Sequence, residues 1–310
     1  MNLESKTYRS NGKLLLTGEY VVLDGARALA IPTKYGQSLT VEPNTSNSIV
    51  WKSFNELENL WFEDEFYIES TSNRLKLKAV NYTEVSKRLI QILKSIHELN
   101  PEFLSSNQGY TITTHQDFNR LWGLGTSSTL INNLANWAQV DAYKLLEKTF
   151  SGSGYDIACA QNNTPITYQL NYRQKPTVEP IAFNPSFKSN LYFVYLNQKQ
   201  NSRDGISAYK KNAKIDADII DKINEITDAI ISCKSLSEFE KLIQLHEEII
   251  STLIKQDTIK SRLFKDFEGS IKSLGAWGGD FVLVTSETDP TSYFSSKGFD
   301  VIVPYSEMTL

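Results

Sequence analysis

Residues 121–137 read LWGLGTSSTLINNLANW: two glycines and three hydroxyl side chains stand directly ahead of an apolar-periodic segment. Gly123 and Gly125 have no Cβ to hold a ligand off the backbone, so the N–H groups around Leu124 can close on an anion. Thr126, Ser127 and Ser128 follow where a helix would begin. The unpaired N–H groups and positive dipole end of such a helix also favour phosphate. The chemistry on offer is the holding of a phosphate chain. An ordinary turn with a Ser/Thr cap has the same composition, so other stretches must decide between the two.

Two further stretches combine glycine with polar groups. Ser151-Gly152-Ser153-Gly154 leads into Tyr155-Asp156-Ile157-Ala158, a second loop-to-helix junction that puts a carboxylate near its start. Gly275-Ala276-Trp277-Gly278-Gly279-Asp280 precedes an apolar run at Phe281. Such a stretch is either a tight turn or a place where backbone approaches a ligand.

The elements that must carry these groups can be read in outline. From Lys13, short apolar runs at 14–16, 20–23 and 28–31 are separated by Gly18 and Asp24-Gly25, a strand-and-turn pattern, and 37–41 adds a strand. Residues 44–73, with Trp51, Phe54, Trp61, Phe62 and Phe66 among charges, fit a hairpin insertion. Val85, Leu89, Leu93 and Ile96 recur at helical spacing over 83–99, and 109–114 alternates as a strand. Helices are expected after the glycine loop and from about Asp141. Beyond 165 a strand at 191–196 precedes an isoleucine stripe at 219, 220, 223, 226 and 230, then a capping-box helix from Ser235 with Glu238. Strands at 281–284 and 301–303 follow. This is an α+β chain with an N-terminal domain over 1–165 and a C-terminal α+β domain over 166–310.

A chain of 310 residues, 40% hydrophobic, buries a large core. Its formal charge of −4 argues against a basic nucleic-acid-binding face. Cys159 and Cys233 are too few for a disulfide framework, and with His97, His115 and His246 they form no spaced zinc motif. The first residues lack a signal-peptide core and no run reaches membrane-span length, so a cytoplasmic, membrane-free protein is expected.

Three separated stretches together resemble one enzyme superfamily, the GHMP kinases. Gly12-Lys13-Leu14-Leu15-Leu16-Thr17-Gly18-Glu19-Tyr20 resembles its N-terminal substrate-side motif, residues 123–128 its ATP-phosphate loop, and residues 275–280 its C-terminal glycine-rich motif. Their order and spacing cover nearly the whole chain. The Ser151–Ala158 stretch is most similar to the mevalonate and phosphomevalonate branch and to a bacterial subgroup with a Gly-Tyr-Asp-Ile-Ala run. The resemblance implies the two-domain GHMP fold, with an N-terminal domain like ribosomal protein S5 and a ferredoxin-like C-terminal domain. It also implies ATP with Mg²⁺ as cofactors, and phosphoryl transfer to a small acceptor by a monomer or homodimer. Mevalonate is the preferred acceptor; phosphomevalonate, decarboxylation of diphosphomevalonate, and a non-catalytic binding protein on the same scaffold are the alternatives.

By the same resemblance, Gly123, Leu124, Gly125, Thr126, Ser127 and Ser128 hold ATP phosphates, with the Ser127 hydroxyl on Mg²⁺. Asp156 accepts or orients the proton of the acceptor hydroxyl and Lys13 neutralises charge. A carboxylate with an ordinary pKa of about 3.9 is a weak base, so positioning is the larger effect. Glu19, Ser153, Gly154, Gly275, Ala276 and Gly278 are the expected acceptor contacts. Glu147 is a possible second metal ligand, though a solvated helix face accounts for it too. Lys199, Ser202 and Arg203 lie in a polar loop comparable to one that touches substrate or phosphate in the family. Trp277 stands where the family has glycine, which either narrows the acceptor pocket or packs harmlessly.

Overall fold

The computed structural model describes residues 4–71, 74–106, 108–171, 175–198, 202–212, 216–277 and 279–310. The chain divides into two units. Met1–Gly12, Tyr35–Arg120 and Leu124–Gln161 make the first; Lys13–Lys34, Leu121–Gly123 and Asn162–Leu310 make the second.

The first unit takes the outer parts of strands β1 (Lys6–Leu15) and β2 (Ala28–Asn44), then β3 (Ser48–Phe54), β4 (Leu60–Thr71), β5 (Arg74–Ala79), helix α1 (Glu84–Leu99), β6 (Gly109–Gln116), and helices α2 (Thr126–Ala138), α3 (Ala142–Thr149) and α4 (Tyr155–Gln161). Its strands run in the order β5-β4-β3-β6-β2. β6 lies parallel to β3 and antiparallel to β2, with Ile112 between Trp51 and Val41. The expected insertion is the β3–β4 hairpin. Alternation along β6 turns Ile112, Thr114 and Gln116 inward. The stripe of α1, Leu89, Leu93 and Ile96, is buried in the same core as Trp51, Phe66, Ile131 and Leu134. Thr83 caps α1 by accepting the Ser86 N–H.

The second unit holds β7 (Ile166–Gln169), β8 (Thr177–Pro180), β9 (Leu191–Tyr195), α5 (Ser202–Asn212), α6 (Ala217–Ser232), α7 (Leu236–Ile254), α8 (Ile259–Leu263), β10 (Ile271–Ser273), β11 (Phe281–Thr285), α9 (Thr291–Ser296), β12 (Ile302–Pro304) and α10 (Tyr305–Met308). Its antiparallel sheet has the order β10-β11-β9-β12. The isoleucine stripe of α6 buries Ile223, Ile226 and Ile230. At the start of α7, Ser235 accepts the Glu238 N–H at 3.2 Å while the Glu238 carboxylate takes the Lys234 N–H at 3.4 Å.

The structure differs from the sequence reading in one element. Residues 20–23 form no strand. They sit in a 3-10 turn, Val21–Asp24, closed by Gly25 in the left-handed region at φ +91°. Neither unit is one contiguous stretch of chain. The second unit begins its long run at 162 but takes in 13–34 and 121–123, because Ala28–Ala30 of β2 pair with β7 and Trp122 packs edge-on against Phe281, 5.4 Å between ring centres.

Candidate active site

The glycine loop reaches α2 through Gly125, which is its N-cap and carries no side chain to cap with. The first bond into the helix is Thr129 N–H to Gly125 O, 3.0 Å. Among the described residues the N–H groups of Thr126, Ser127 and Ser128 find no acceptor. Three amides at the positive end of a 13-residue helix suit an anion. The hydroxyls divide by task. Thr126 accepts from Gln116 Nε2 at 3.0 Å, and the buried Ser128 donates to Gly125 O at 2.9 Å. Ser127 is exposed, and its hydroxyl makes no hydrogen bond among the described residues. It is the one left for a ligand.

A buried amide network fixes this helix. Ser10 Oγ donates to Asn133 Oδ1 at 2.7 Å, Asn132 Nδ2 to Ser10 Oγ at 2.9 Å, Asn133 Nδ2 to Gln37 O at 2.9 Å and Thr129 Oγ1 to Gln37 Oε1 at 2.8 Å. Two asparagines inside a helix are poor helix formers. They are tolerated here because their amide groups are matched by β1, β2 and α4. Gln161 Nε2 bonds Asn132 Oδ1 at 2.9 Å, so α4 is tied to α2. Asp156 stands in the first turn of α4, half-buried, and accepts its neighbour Ile157's N–H at 3.1 Å. Ser153 and the buried Gly154 form the turn just ahead of it. Burial, with the Cys159 and Asp156 side chains adding, pushes the nearby Tyr143 phenol far above its ordinary range. The first unit thus holds Leu124–Ser128 and Ser153–Asp156 on two mutually bonded helices.

In the second unit, Lys13, Gly123 and Gly275 line one pocket together with Trp122, Asp280 and Phe281. Lys13 Nζ donates to Gly123 O at 2.9 Å. Gly123 has φ +67°, and a Cβ there would collide with the Asp280 carboxyl group. Asp280 is itself left-handed at φ +52°. Its backbone is held on both sides, N–H to Gln198 O at 2.6 Å and O from Leu196 N–H at 2.8 Å. Its charge and, more strongly, burial raise the Tyr195 phenol. Sequence reasoning gave Asp280 no role. The signal available was a carboxylate ending a glycine motif, where the chain would have to turn it toward the same ligand as the glycines.

Glu19 is placed differently from an acceptor contact. It has no exposed surface and its Oε1 accepts from the Lys272 ammonium, which is also fully buried and donates to Ser273 O at 2.9 Å. His246 Nε2 accepts the Gly18 N–H at 3.0 Å and lies 3.4 Å from Glu19 Oε2. Glu247 accepts from both Ser273 N and Ser273 Oγ. Burial pushes the Glu19 carboxyl up to about 7 against the pull of Lys272, and raises Glu247 likewise. Burial and then the Lys272 charge hold His246 far below its usual pKa, so it is neutral. The network clamps the first motif to the strand that carries the third, and Tyr20 OH adds a bond to Ala276 O at 2.8 Å. Ala276 is buried through that bond. Trp277 packs in the core with Tyr20, Val21, Tyr209 and Ile250. Its bulk is absorbed by that core.

Gly278 and Lys199 lie outside the described residues, and Ser202 and Arg203 belong to α5. Glu147 is exposed on α3, as a solvated face would be. A hard cation of the Mg²⁺ type needs few protein ligands, all oxygen. The exposed Ser127 hydroxyl and the Asp280 carboxylate are donors of that kind, each on its own unit. No group of three or more metal-ligating His, Cys, Asp or Glu side chains occurs among the described residues. Nor is any described helix long and apolar enough to cross a membrane.

No family model matches the chain and no curated protein matches it in sequence. Solved structures match it in fold along nearly its whole length. Streptococcus pneumoniae phosphomevalonate kinase, solved with phosphomevalonate and AMPPNP, is 16% identical with a TM-score of 0.68, covering 96% of this chain and 98% of its own. Methanococcus jannaschii mevalonate kinase is 16% identical at 0.66, covering 96% of each. Lactococcus lactis galactokinase with galactose is 10% identical at 0.62, covering 95% and 88%. The fold is the α+β fold of the GHMP kinases, as the three motifs imply.

Proposed function

We propose that this chain is a GHMP kinase that moves the γ-phosphoryl group of ATP, bound with Mg²⁺, onto a small acceptor, with mevalonate the acceptor of choice. The observation that carries the reading is the meeting of Lys13, Gly123 and Gly275, from three motifs far apart in sequence, in one pocket of the second unit. The free amides at the start of α2 support it independently.

Each residue then has a defined task. The amides of Thr126, Ser127 and Ser128 hold phosphate oxygens, and Ser127 Oγ is a hard donor for the cation. Mg²⁺, when bound, neutralises the charge of the phosphate chain. Lys13 adds positive charge beside the glycine loop. A new bond forms from the acceptor oxygen to the γ-phosphorus while the bond to the ADP oxygen breaks. Asp156 accepts the proton that leaves the acceptor hydroxyl, late in the transfer when that hydroxyl has become acidic. The choice of mevalonate rests on the Ser151–Ala158 stretch and on neighbours named for mevalonate and phosphomevalonate.

A coupled assay of ADP release over an acceptor panel tests this. Mevalonate-dependent turnover in Mg²⁺ is expected. ATP binding with no turnover of mevalonate or phosphomevalonate removes the acceptor assignment, and release of carbon dioxide would move the chain to the decarboxylases. The protein is expected to work in the cytoplasm as a monomer or homodimer, which sedimentation would measure.

A further inference from the structure

Two carboxyl groups and one ammonium are sealed in the core of the second unit. Glu19 and Lys272 have no exposed surface, and Glu247 of α7 is buried beside them. The Lys272 ammonium meets Glu19 Oε1 and Ser273 O. Glu247 is supplied with donors for its ionised form: the Ser273 N–H onto both oxygens at 3.1 Å and the Ser273 hydroxyl onto Oε1 at 2.6 Å. Glu19 Oε2 has no such donor among the described residues. Its neighbour, 3.4 Å away, is His246 Nε2, which accepts the Gly18 N–H at 3.0 Å and therefore presents a lone pair rather than a hydrogen. An ionised Oε2 would face that lone pair, whereas a protonated one turns a hydrogen toward it. The charge count agrees. One buried cation balances one buried anion, and a second anion is costly in the core. Burial raises both carboxyls accordingly. Lys272 of β10 and His246 and Glu247 of α7 are the titratable groups facing Glu19; in its own turn the Tyr20 hydroxyl is directed to Ala276 O.

We infer that Glu19 is a positioning residue that works as a neutral carboxyl, its proton on Oε2 latching together two walls of the pocket, which loosen when that proton is lost. The walls are the ends of two backbone segments. Leu14 and Leu15 line the pocket a few residues ahead of Glu19, and Leu274 and Gly275 line it directly after Ser273. α7 spans the two segments, with His246 holding Gly18 and Glu247 holding Ser273. An ionised Oε2 repels the nitrogen that holds Gly18 and leaves an extra negative charge between the segments. The latch is thus closed on the acid side of neutrality and eased on the alkaline side. It acts whether or not a nucleotide is bound, and so stands apart from the kinase reading.

The full-length wild type, Glu19→Gln and Glu247→Gln are compared first without ligand. Glutamine at 19 imitates the neutral carboxyl permanently, and glutamine at 247 removes the competing charge. An infrared difference spectrum between the wild type and Glu19→Gln should show the band of a protonated carboxyl at about pH 6 and its loss by about pH 8. In Glu247→Gln that loss should come at least about one pH unit lower, a shift that also decides the matter if Glu19→Gln melts early. Amide hydrogen exchange over residues 16–19 and 272–275 should match between the wild type and Glu19→Gln at about pH 6 and be at least about fivefold faster in the wild type at about pH 8. Over the same range ATP affinity should fall at least about threefold more in the wild type than in Glu19→Gln, a comparison that cancels the titration of the terminal phosphate itself. Absence of the band at about pH 6, a transition unmoved in Glu247→Gln, exchange that stays equal at both ends, or ATP affinities that change in parallel overturns the latch. Exchange that behaves as expected with no ATP binding in any of the proteins removes the kinase reading and leaves the latch standing.

Discussion

The Asp280 carboxylate occupies the space that any side chain at Gly123 would need. With φ at +67°, position 123 is closed to other residues for two independent reasons, one local and one tertiary. Gly123→Ala should cost about 1 kcal/mol from the backbone alone and more from the collision. It should also turn the loop away from Lys13. The expected result is a melting temperature lowered by several degrees and ATP affinity reduced at least about tenfold. Thermal melting and calorimetry on the same preparation check it, and unchanged ATP binding would separate the loop from the nucleotide.

Asp156 tests the chemistry more directly. Its side chain is half-buried at the start of α4 and accepts the next residue's N–H. Asp156→Asn keeps the shape and that acceptor. The fold should hold, with stability changed by no more than about 1 kcal/mol. The turnover number should fall about a hundredfold or more while ATP affinity is kept. Steady-state kinetics beside an ATP titration gives both numbers. A mutant with normal turnover would take the proton from Asp156 and leave it a helix cap.

Ser127 and Ser128 are neighbours with opposite expectations. Ser128 is buried and donates to Gly125 O, whereas Ser127 is exposed and its hydroxyl has no hydrogen bond among the described residues. Ser127→Ala should be neutral to stability within about 0.5 kcal/mol. It should raise the Mg²⁺ concentration needed for half-maximal turnover. Ser128→Ala should lower stability by about 1 kcal/mol and leave that concentration alone. A Mg²⁺ titration of activity in the two variants distinguishes them, and identical curves would remove Ser127 from the cation.

What the sequence disclosed follows from the range of the forces involved. Local periodicity identified α1, α6 and α7, because a stripe such as Ile223, Ile226 and Ile230 is a property of neighbouring residues. The capping box of Ser235 and Glu238 was equally plain. Glycine motifs located the loop ahead of α2, since only backbone freedom explains Gly123 and Gly125 together. The placement of Glu19 was not legible, because its partner Lys272 lies 253 residues away and each looks like an ordinary surface charge. Asp280 was hidden for a similar reason: what matters is the glycine it leans on, 157 positions earlier by the difference of their numbers. β10 has three residues, too few for alternation to register.

The buried pair gives the last prediction. Glu19 and Lys272 are both without exposed surface, and removing one partner leaves the other charge unmatched in the core. Lys272→Met should therefore destabilise by about 3 to 5 kcal/mol, and adding Glu19→Gln to it should recover much of the loss. The pH dependence has a definite sign. The folded Glu19 carboxyl sits at about 7 against 4.5 in its ordinary state, so the folded protein binds that proton more tightly than the unfolded chain. Its contribution is fully present below about 4.5 and is lost as pH rises through about 7. Glu247 shifts the same way. His246, pushed down, acts oppositely: its contribution is present above 6.5 and fades as pH falls. Comparing the wild type with Glu19→Gln isolates the first effect. Between pH 4.5 and 7.5 the wild type should lose up to about 3 kcal/mol relative to the variant. Denaturant melts of both proteins at the two ends of that range measure it. Parallel stability curves would show that Glu19 stays ionised throughout, held so by Lys272.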